Sequence, residues 1–459
     1  MLSSRIRAVT RSTLPKPSSV LRRSPTSILG RCINDGPRYF TGMDEELVEV
    51  EVGIVHFGVG RFHRAHQAVY IDEILQRGDR KWGMCGVCML PQDEGIYSAL
   101  KKQNGEYNVI EMDSATTVVK KIGSMVEVLW GHKHPEDVLY TLSKKSVKIV
   151  SCTVTEAGYF YHPSTKALDF SNEALAHDLE LYRAAVIHHC SPTEDSGTPA
   201  ALEPNPRTLF GYLSIGMLHR YLNKVKPFTI MCCDNIQGNG DMTRALLLEF
   251  CNNVSPSELK RPGKFKRYLN WLDKSVEFPN SMVDRITPAA SDSEIDFIRY
   301  PIKDYEDFVP VSCELYRQWV IEDKFCNIKP KFETLKNVSL VSDIKPYEKI
   351  KIRCLNGGHS ALGYAGHLAG HATIDDTVND EMFEKYLRLY FQEVSVTLDV
   401  VDGIELPTYQ DTLIDRFGNV QIKDDVLRIC KDGSSKIPGF ILPTVVEVLE
   451  QGKFTTCLS

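Results

Sequence analysis

Lys351, Asn356 and His359, within the segment KIRCLNGGH, are an amine, an amide and an imidazole at spacings that helical winding can gather. If the segment is helical, Asn356 and His359 stand three apart on one face. Lys351 then lies about 80° from His359 at roughly 100° per residue. Glu348 is a neighbour of Lys351 at i,i+3. A lysine whose pKa is lowered by burial can act as a general base beside such groups. A solvated lysine and a capping asparagine fit the same spacing.

Two further segments carry polar groups where ligands of α/β sheets bind. Gly58-Val59-Gly60-Arg61-Phe62-His63 follows an apolar run, and two glycines at this spacing let backbone N–H groups approach a pyrophosphate at a helix start. The third glycine of the dinucleotide fingerprint is replaced by His63, and a tight structural turn competes with the binding reading. Asp93, just past the next apolar run, is placed to accept hydrogen bonds from an adenosine ribose and to repel a 2′-phosphate, which favours NAD. Ile230–Gly240 (IMCCDNIQGNG) ends a third run in Asp234, Asn235, Gln237 and Asn239. From that segment alone a turn or helix cap is the favoured reading.

These residues need a scaffold, and the periodicity supplies one. Val48–Gly58 reads as a buried strand, Arg64–Arg77 as a helix with an apolar stripe, and Trp82–Leu90 as a second strand, together a βαβ unit. Strands are also expected at Tyr107–Glu111, Val118–Gly123, Val147–Val154 and Phe228–Cys233, with a helix over Arg207–Asn223. Ser191–Pro206, polar and with four prolines, reads as a surface loop. Past about residue 340 helical patterns dominate: His359–His371, Glu381–Val400 and Asp424–Cys430. The expected architecture is α/β, a Rossmann-type mostly parallel sheet domain over 43–340, followed by a mainly α-helical domain over 341–459.

Composition narrows the class. The 459 residues are 42% hydrophobic and 25% charged, an ordinary globular balance that excludes a disordered or collagen-like chain. The net charge of −6 argues against nucleic-acid binding, and no apolar run is long enough to span a membrane. The charge is unevenly spread. Residues 1–34 hold Arg5, Arg7, Arg11, Lys16, Arg22, Arg23 and Arg31 without one acid, a local +7 that leaves −13 for the rest. Arg- and Ser-rich and acid-poor, residues 1–42 have the composition of a mitochondrial transit peptide; a disordered basic arm is the alternative, with the protein then cytoplasmic.

Thirteen scattered cysteines suit reduced thiols rather than a disulfide framework. Cys85 and Cys88 form a lone C-x-x-C inside a strand pattern, and His367 and His371 read as a packed helix face, so no metal site is expected.

At these segments together the chain resembles the polyol-specific long-chain dehydrogenase/reductase family, the mannitol dehydrogenase family. The matching words are IVHFGVGRFHRAHQAVY at Ile54–Tyr70, TEAGY at Thr155–Tyr159, CDNIQGNG at Cys233–Gly240, NSMVDRITP at Asn280–Pro288, KIRCLNGGH at Lys351–His359 and DGSSKIPGFILP at Asp432–Pro443. The resemblance implies an NAD-dependent, zinc-independent interconversion of D-mannitol and D-fructose, with a small polyol or ketose as partner and a monomer as the assembly. Lys351 matches the general base, and Asn235 and Asn356 the pair that hydrogen-bonds the reacting oxygen. His359 matches a substrate-orienting residue, and Glu348 the acid linking the lysine to solvent protons. Asp284 and Arg416 match substrate-hydroxyl contacts.

The cofactor cradle implied is Ile54, Val55, His56, Phe57, Gly58, Val59, Gly60, Arg61, Phe62, His63, Arg64 and Ala65, with Asp93 on the ribose. Gln92 stands where an acidic partner to Asp93 is expected, which softens the exclusion of NADP. The family continues past FILP with further helices, whereas this chain ends at KFTTCLS, so a shortened helical domain is expected. A hexuronate reductase shares the lysine, the asparagines and the Gly turn and is the alternative enzyme; a non-catalytic NAD-binding protein is the alternative of another class.

Overall fold

Residues 53–57 are all buried, as a strand covered on both faces requires, and they belong to β1 (Val52–Phe57) in the computed structural model of the chain. The structure describes residues 31–32, 50–162, 164–190, 205–288, 307–453 and 456–457. With β2 (Gly83–Cys88), β3 (Met125–Trp130), β4 (Ile149–Cys152) and β5 (Thr229–Cys232), β1 forms a parallel sheet in the order β3-β2-β1-β4-β5. The chain starts at the centre, winds to one edge and returns to build the other half. The carboxyl ends of β1 and β4 therefore flank the crevice where the winding reverses, which is where α/β sheets bind ligands.

Successive β1 residues feed different cores. Val55 and Phe57 pack with helices Pro135–Ser143, Glu173–Cys190 and Leu209–Leu222, while Ile54 packs with helix Gln67–Gln76 and two smaller sheets. In one small sheet, Tyr107–Met112 pairs antiparallel with Thr117–Ile122 and parallel with Val311–Glu314. In the other, Gln318–Glu322 pairs antiparallel with Ser281–Asp284 and parallel with Val338–Val341. Met125–Trp130 is absent from the sequence reading, as are Ser281–Asp284, Val311–Glu314, Gln318–Glu322 and Val338–Val341, whose four or five residues are too few to display a period.

The expected Arg64–Arg77 helix is two pieces, Arg61–Ala65 and Gln67–Gln76, broken at His66 (φ −122°, ψ −85°). The cause is tertiary: His66 is fully buried, and its Nε2 donates to the Gln318 carbonyl at 2.8 Å. Beyond residue 344 the structure is helical, with its own core built on Leu362, Leu387, Phe391 and Leu413. Gly357–Ala369 ends at Gly370 (φ 92°), so His371 lies past the helix and does not share a helical face with His367. Glu381–Ser395 stops short of Val400. No described helix is long and apolar enough to cross a membrane. The basic leader, apart from residues 31–32, and nearly all of Ser191–Pro206 lie outside the described residues.

Gly58 ends β1 at φ +94°, and a Cβ there would sit 2.1 Å from the Thr153 carbonyl oxygen at the end of β4. Gly58→Ala is expected to lower stability by at least about 2 kcal/mol, since it adds a left-handed backbone penalty to a main-chain clash. Thermal unfolding of the variant checks this.

Candidate active site

The N-terminal helix of the helical region, Lys345–Ile350, docks on the small sheet, where Ile344 packs with Met282 and Val320. That docking carries Lys351 over the edge strand Ser281–Asp284. Lys351 is 6% exposed, and its Nζ donates to Asn235 Oδ1 at 2.5 Å and to the Val283 carbonyl at 2.8 Å. Burial lowers its pKa and the Arg416 guanidinium adds to this, partly offset by the Asp284 and Glu348 carboxylates. Glu348 lines the same pocket with Asp234, Asn235, Gln237 and Val283. Its carboxylate accepts the Gly238 N–H at 3.2 and 3.3 Å, and burial pushes its pKa up to about 7. The structure thus gathers Lys351, Glu348 and Asn235 from segments far apart in the chain.

Residues 351–356 wind as a π-helix before the α-helix resumes at Gly357. Wider winding turns each residue through less than 100°, so the regular-helix geometry expected for Lys351 and His359 does not hold. His359 stacks on Phe417 (centroids 4.7 Å apart) with Nε2 3.5 Å from the Asp424 carboxylate, and burial lowers its pKa to about 4. Asn356 is 9% exposed, and its Oδ1 is buried without a hydrogen-bond partner among the described residues. A ligand hydroxyl is chemically suited to that carbonyl.

The rim of the crevice is tied by Asp234. Its carboxylate accepts the N–H groups of Val154 and Thr155, both at 3.0 Å, and the Tyr159 hydroxyl at 2.6 Å. The turn reading of DNIQGNG is right for Asp234 and for Asn239, which bonds the Asp234 and Ser281 carbonyls. Asn235, by contrast, is exposed and meets the lysine.

Of the expected cofactor cradle, Ile54, Val55, His56, Phe57, Val59, His63, Arg64 and Ala65 are buried. Gly60 and Arg61 are exposed, and Gly58 and Phe62 half-buried. A Cβ on Gly60 would meet nothing within 4 Å, so this turn leaves room for a ligand against its backbone. His56 works from below: its ring bonds Ser151 at 2.8 Å and Thr153 at 2.9 Å, and stacks on His63 at 3.4 Å. Asp93 is half-buried after β2, and its Oδ2 accepts the Leu90 N–H at 2.9 Å. An open glycine turn at the switch point and an acid beyond the second strand form a donor and acceptor set that fits a dinucleotide.

Asp284 and Arg416 do come together, as a bidentate ion pair with contacts of 2.8 and 3.0 Å. Glu314 grips the other edge of the guanidinium at 2.8 and 2.9 Å, and Tyr316 covers it with its ring centroid 3.9 Å away. The two carboxylates hold Arg416 protonated against its burial. Sequence reasoning missed Glu314 and Tyr316, which stand in a short strand and its loop without a motif. Tyr159 was visible only as part of TEAGY.

Residues 52–334 match the mannitol dehydrogenase Rossmann domain and residues 343–458 the mannitol dehydrogenase C-terminal domain. A curated relative, mannitol 2-dehydrogenase of Phaeosphaeria nodorum, is 38% identical over 407 residues, which is 88% of this chain and 66% of that protein. Among solved structures, the Pseudomonas fluorescens mannitol 2-dehydrogenase ternary complex with NAD and D-mannitol superposes with a TM-score of 0.74 at 34% identity. The match covers 89% of this chain and 77% of that one. A substrate-free D-sorbitol dehydrogenase gives a TM-score of 0.77 at 32% identity, covering 88% and 78%. The chain thus spans from 66% to 78% of the length of these relatives. By both of its matched halves, the chain belongs to the mannitol dehydrogenase family.

Proposed function

We propose that this protein is an NAD-dependent polyol dehydrogenase that interconverts D-mannitol and D-fructose. The observation that carries the reading is the buried Lys351 amine, with lowered pKa, held 2.5 Å from Asn235 at the carboxyl end of β5. Relatives named mannitol 2-dehydrogenase and the ternary complex with NAD and D-mannitol support the choice of substrate and cofactor. Bound NAD would accept hydride from the carbinol carbon. Gly58, Gly60 and Arg61 would hold it at the switch point, and Asp93 would take the adenosine ribose.

In this reading Lys351 removes the hydroxyl proton as the carbonyl forms. Asn235 and Asn356 donate amide N–H groups to the reacting oxygen, an arrangement worth most where the charge develops. Glu348, with a pKa of about 7, passes the lysine's proton to solvent. His359 orients the substrate from the Phe417 side. Residues 1–42 act as a mitochondrial targeting segment.

Lys351→Ala is expected to bind NADH as the parent does while kcat falls about 10²–10⁴-fold in both directions, read by NADH absorbance and fluorescence titration. Undiminished turnover would remove the lysine from the mechanism. A lowered lysine pKa makes polyol oxidation rise with pH as the amine loses its proton, and ketose reduction fall. Glu348→Gln is expected to erase the part of that profile that inflects near pH 7. Residues 1–42 fused to a fluorescent protein should direct it to mitochondria; diffuse cytosolic signal would refute the targeting role.

A further inference from the structure

The Arg416 guanidinium stands close to the chemistry: its partner Asp284 directly follows Val283, whose carbonyl holds the lysine Nζ at 2.8 Å. A cation beside a carbonyl-reducing site is what a sugar acid needs, because guanidinium and carboxylate match as a two-pronged fork. Here the fork is already filled. Nε and Nη2 donate to Glu314, and Nη2 and Nη1 donate to Asp284, so four of the five N–H donors are engaged. Tyr316 lies across the guanidinium.

All three charged side chains are nearly sealed from solvent, with exposures of 2% for Glu314, 3% for Asp284 and 6% for Arg416. When ionised they leave one surplus negative charge in a region where water screens poorly. Glu314 is fixed further by the Ile286 N–H at 2.5 Å, so it cannot swing away to release the arginine.

We propose that Glu314 is a specificity-determining residue that makes the site select neutral polyols and ketoses over sugar acids. The inference rests on the dehydrogenase reading above and adds to it the residue that sets substrate charge. The one N–H donor of Arg416 left over among the described residues suits a single hydroxyl or ketone oxygen. A carboxylate finds no free pair of donors and meets the surplus negative charge. Glu314 acts through Arg416, so it is a positioning residue for the recognition of charge. Asp284 alone would neutralise the arginine yet leave its Nε–Nη2 edge open to an incoming acid.

The test is reduction of a neutral 2-ketohexose and of the corresponding 5-keto hexuronate with NADH, by the parent and by Glu314→Gln. For the parent, kcat/KM for the uronate is expected to be about 100-fold below that for the ketose, from like-charge juxtaposition. In Glu314→Gln that ratio should narrow about tenfold, chiefly through a lower KM for the uronate, because one repelling charge is gone. A change confined to kcat for both substrates would mark a structural role only and overturn the proposal. Should the variant not fold, competitive inhibition of the parent decides. A hexonate anion should bind at least about tenfold more weakly than the neutral hexitol of the same stereochemistry, and equal binding overturns the proposal. Uronate turnover by the parent equal to that of the ketose sinks Glu314's role while leaving a dehydrogenase. Turnover of neither substrate, with NADH bound, sinks the dehydrogenase reading and this inference with it.

Discussion

The buried amine of Lys351 is the constraint on which the remaining geometry turns. Its two acceptors come from different sheets, Asn235 past the end of β5 and the Val283 carbonyl on the small-sheet edge. An amine stripped of water, with two acceptors among the described residues, is shifted toward its neutral form, which is what a proton acceptor needs. Holding it there demands that the two sheets not move apart. Ser281 does part of this, donating its hydroxyl to the Cys232 carbonyl at 2.7 Å, and Asn239 does more by bonding both the Asp234 and Ser281 carbonyls. Asp234 then ties the same corner to the end of β4 through Val154, Thr155 and Tyr159. These polar groups are first of all joints of the site.

The π-helical winding after Ile350 follows from the same demand. The helix arrives along the small sheet with Glu348 and Lys351 facing the crevice, and it leaves as the buried Gly357–Ala369 helix of the other core. Loosening residues 351–356 reconciles the two phases without a break. Its cost shows in the backbone: the Arg353 carbonyl takes a side-chain donor, the Tyr390 hydroxyl, at 2.7 Å. Such irregular turns are found mostly where function requires them.

How much of this the sequence displayed depended on the range of the interaction. Four of the five parallel strands of the main sheet announced themselves as apolar runs, and the glycine turn after β1 by its spacing. His66 did not, because the helix break there is imposed by the Gln318 carbonyl, 252 positions away. Spacing around KIRCLNGGH pointed at Lys351, Glu348, Asn356 and His359, and the family resemblance supplied their roles; the contact between Lys351 and Asn235, 116 positions apart, had no local sign. Many of the residues of the Ile54–Ala65 word prove to be core, since a run that folds as strand, turn and helix buries most of itself and shows a ligand only its turn. Glu314 had no local signature at all. Its partner lies 102 positions on, and only the fold brings an acid to an arginine already paired.

Lys351 and Glu348 in the pocket are shifted toward one another, and that has a cost in stability. Burial moves Lys351 down from the ordinary lysine range and Glu348 up from 4.5 to about 7. A proton shared between groups of nearer affinity crosses with little loss of driving force in either direction, which suits a reaction run both ways. Because the folded value of Glu348 is raised, the fold favours its protonated form. The penalty is absent below the unfolded value near 4.5, grows as pH climbs, and is complete once pH passes the folded value of about 7. At 1.36 kcal/mol per pKa unit it approaches about 3 kcal/mol, a sizeable share of a domain's net stability. A glutamine at that position would avoid the penalty and, on the proposed mechanism, give up the proton relay. The carboxyl group is therefore one whose charge works against the fold and whose reason for being there, on the proposed mechanism, is chemical.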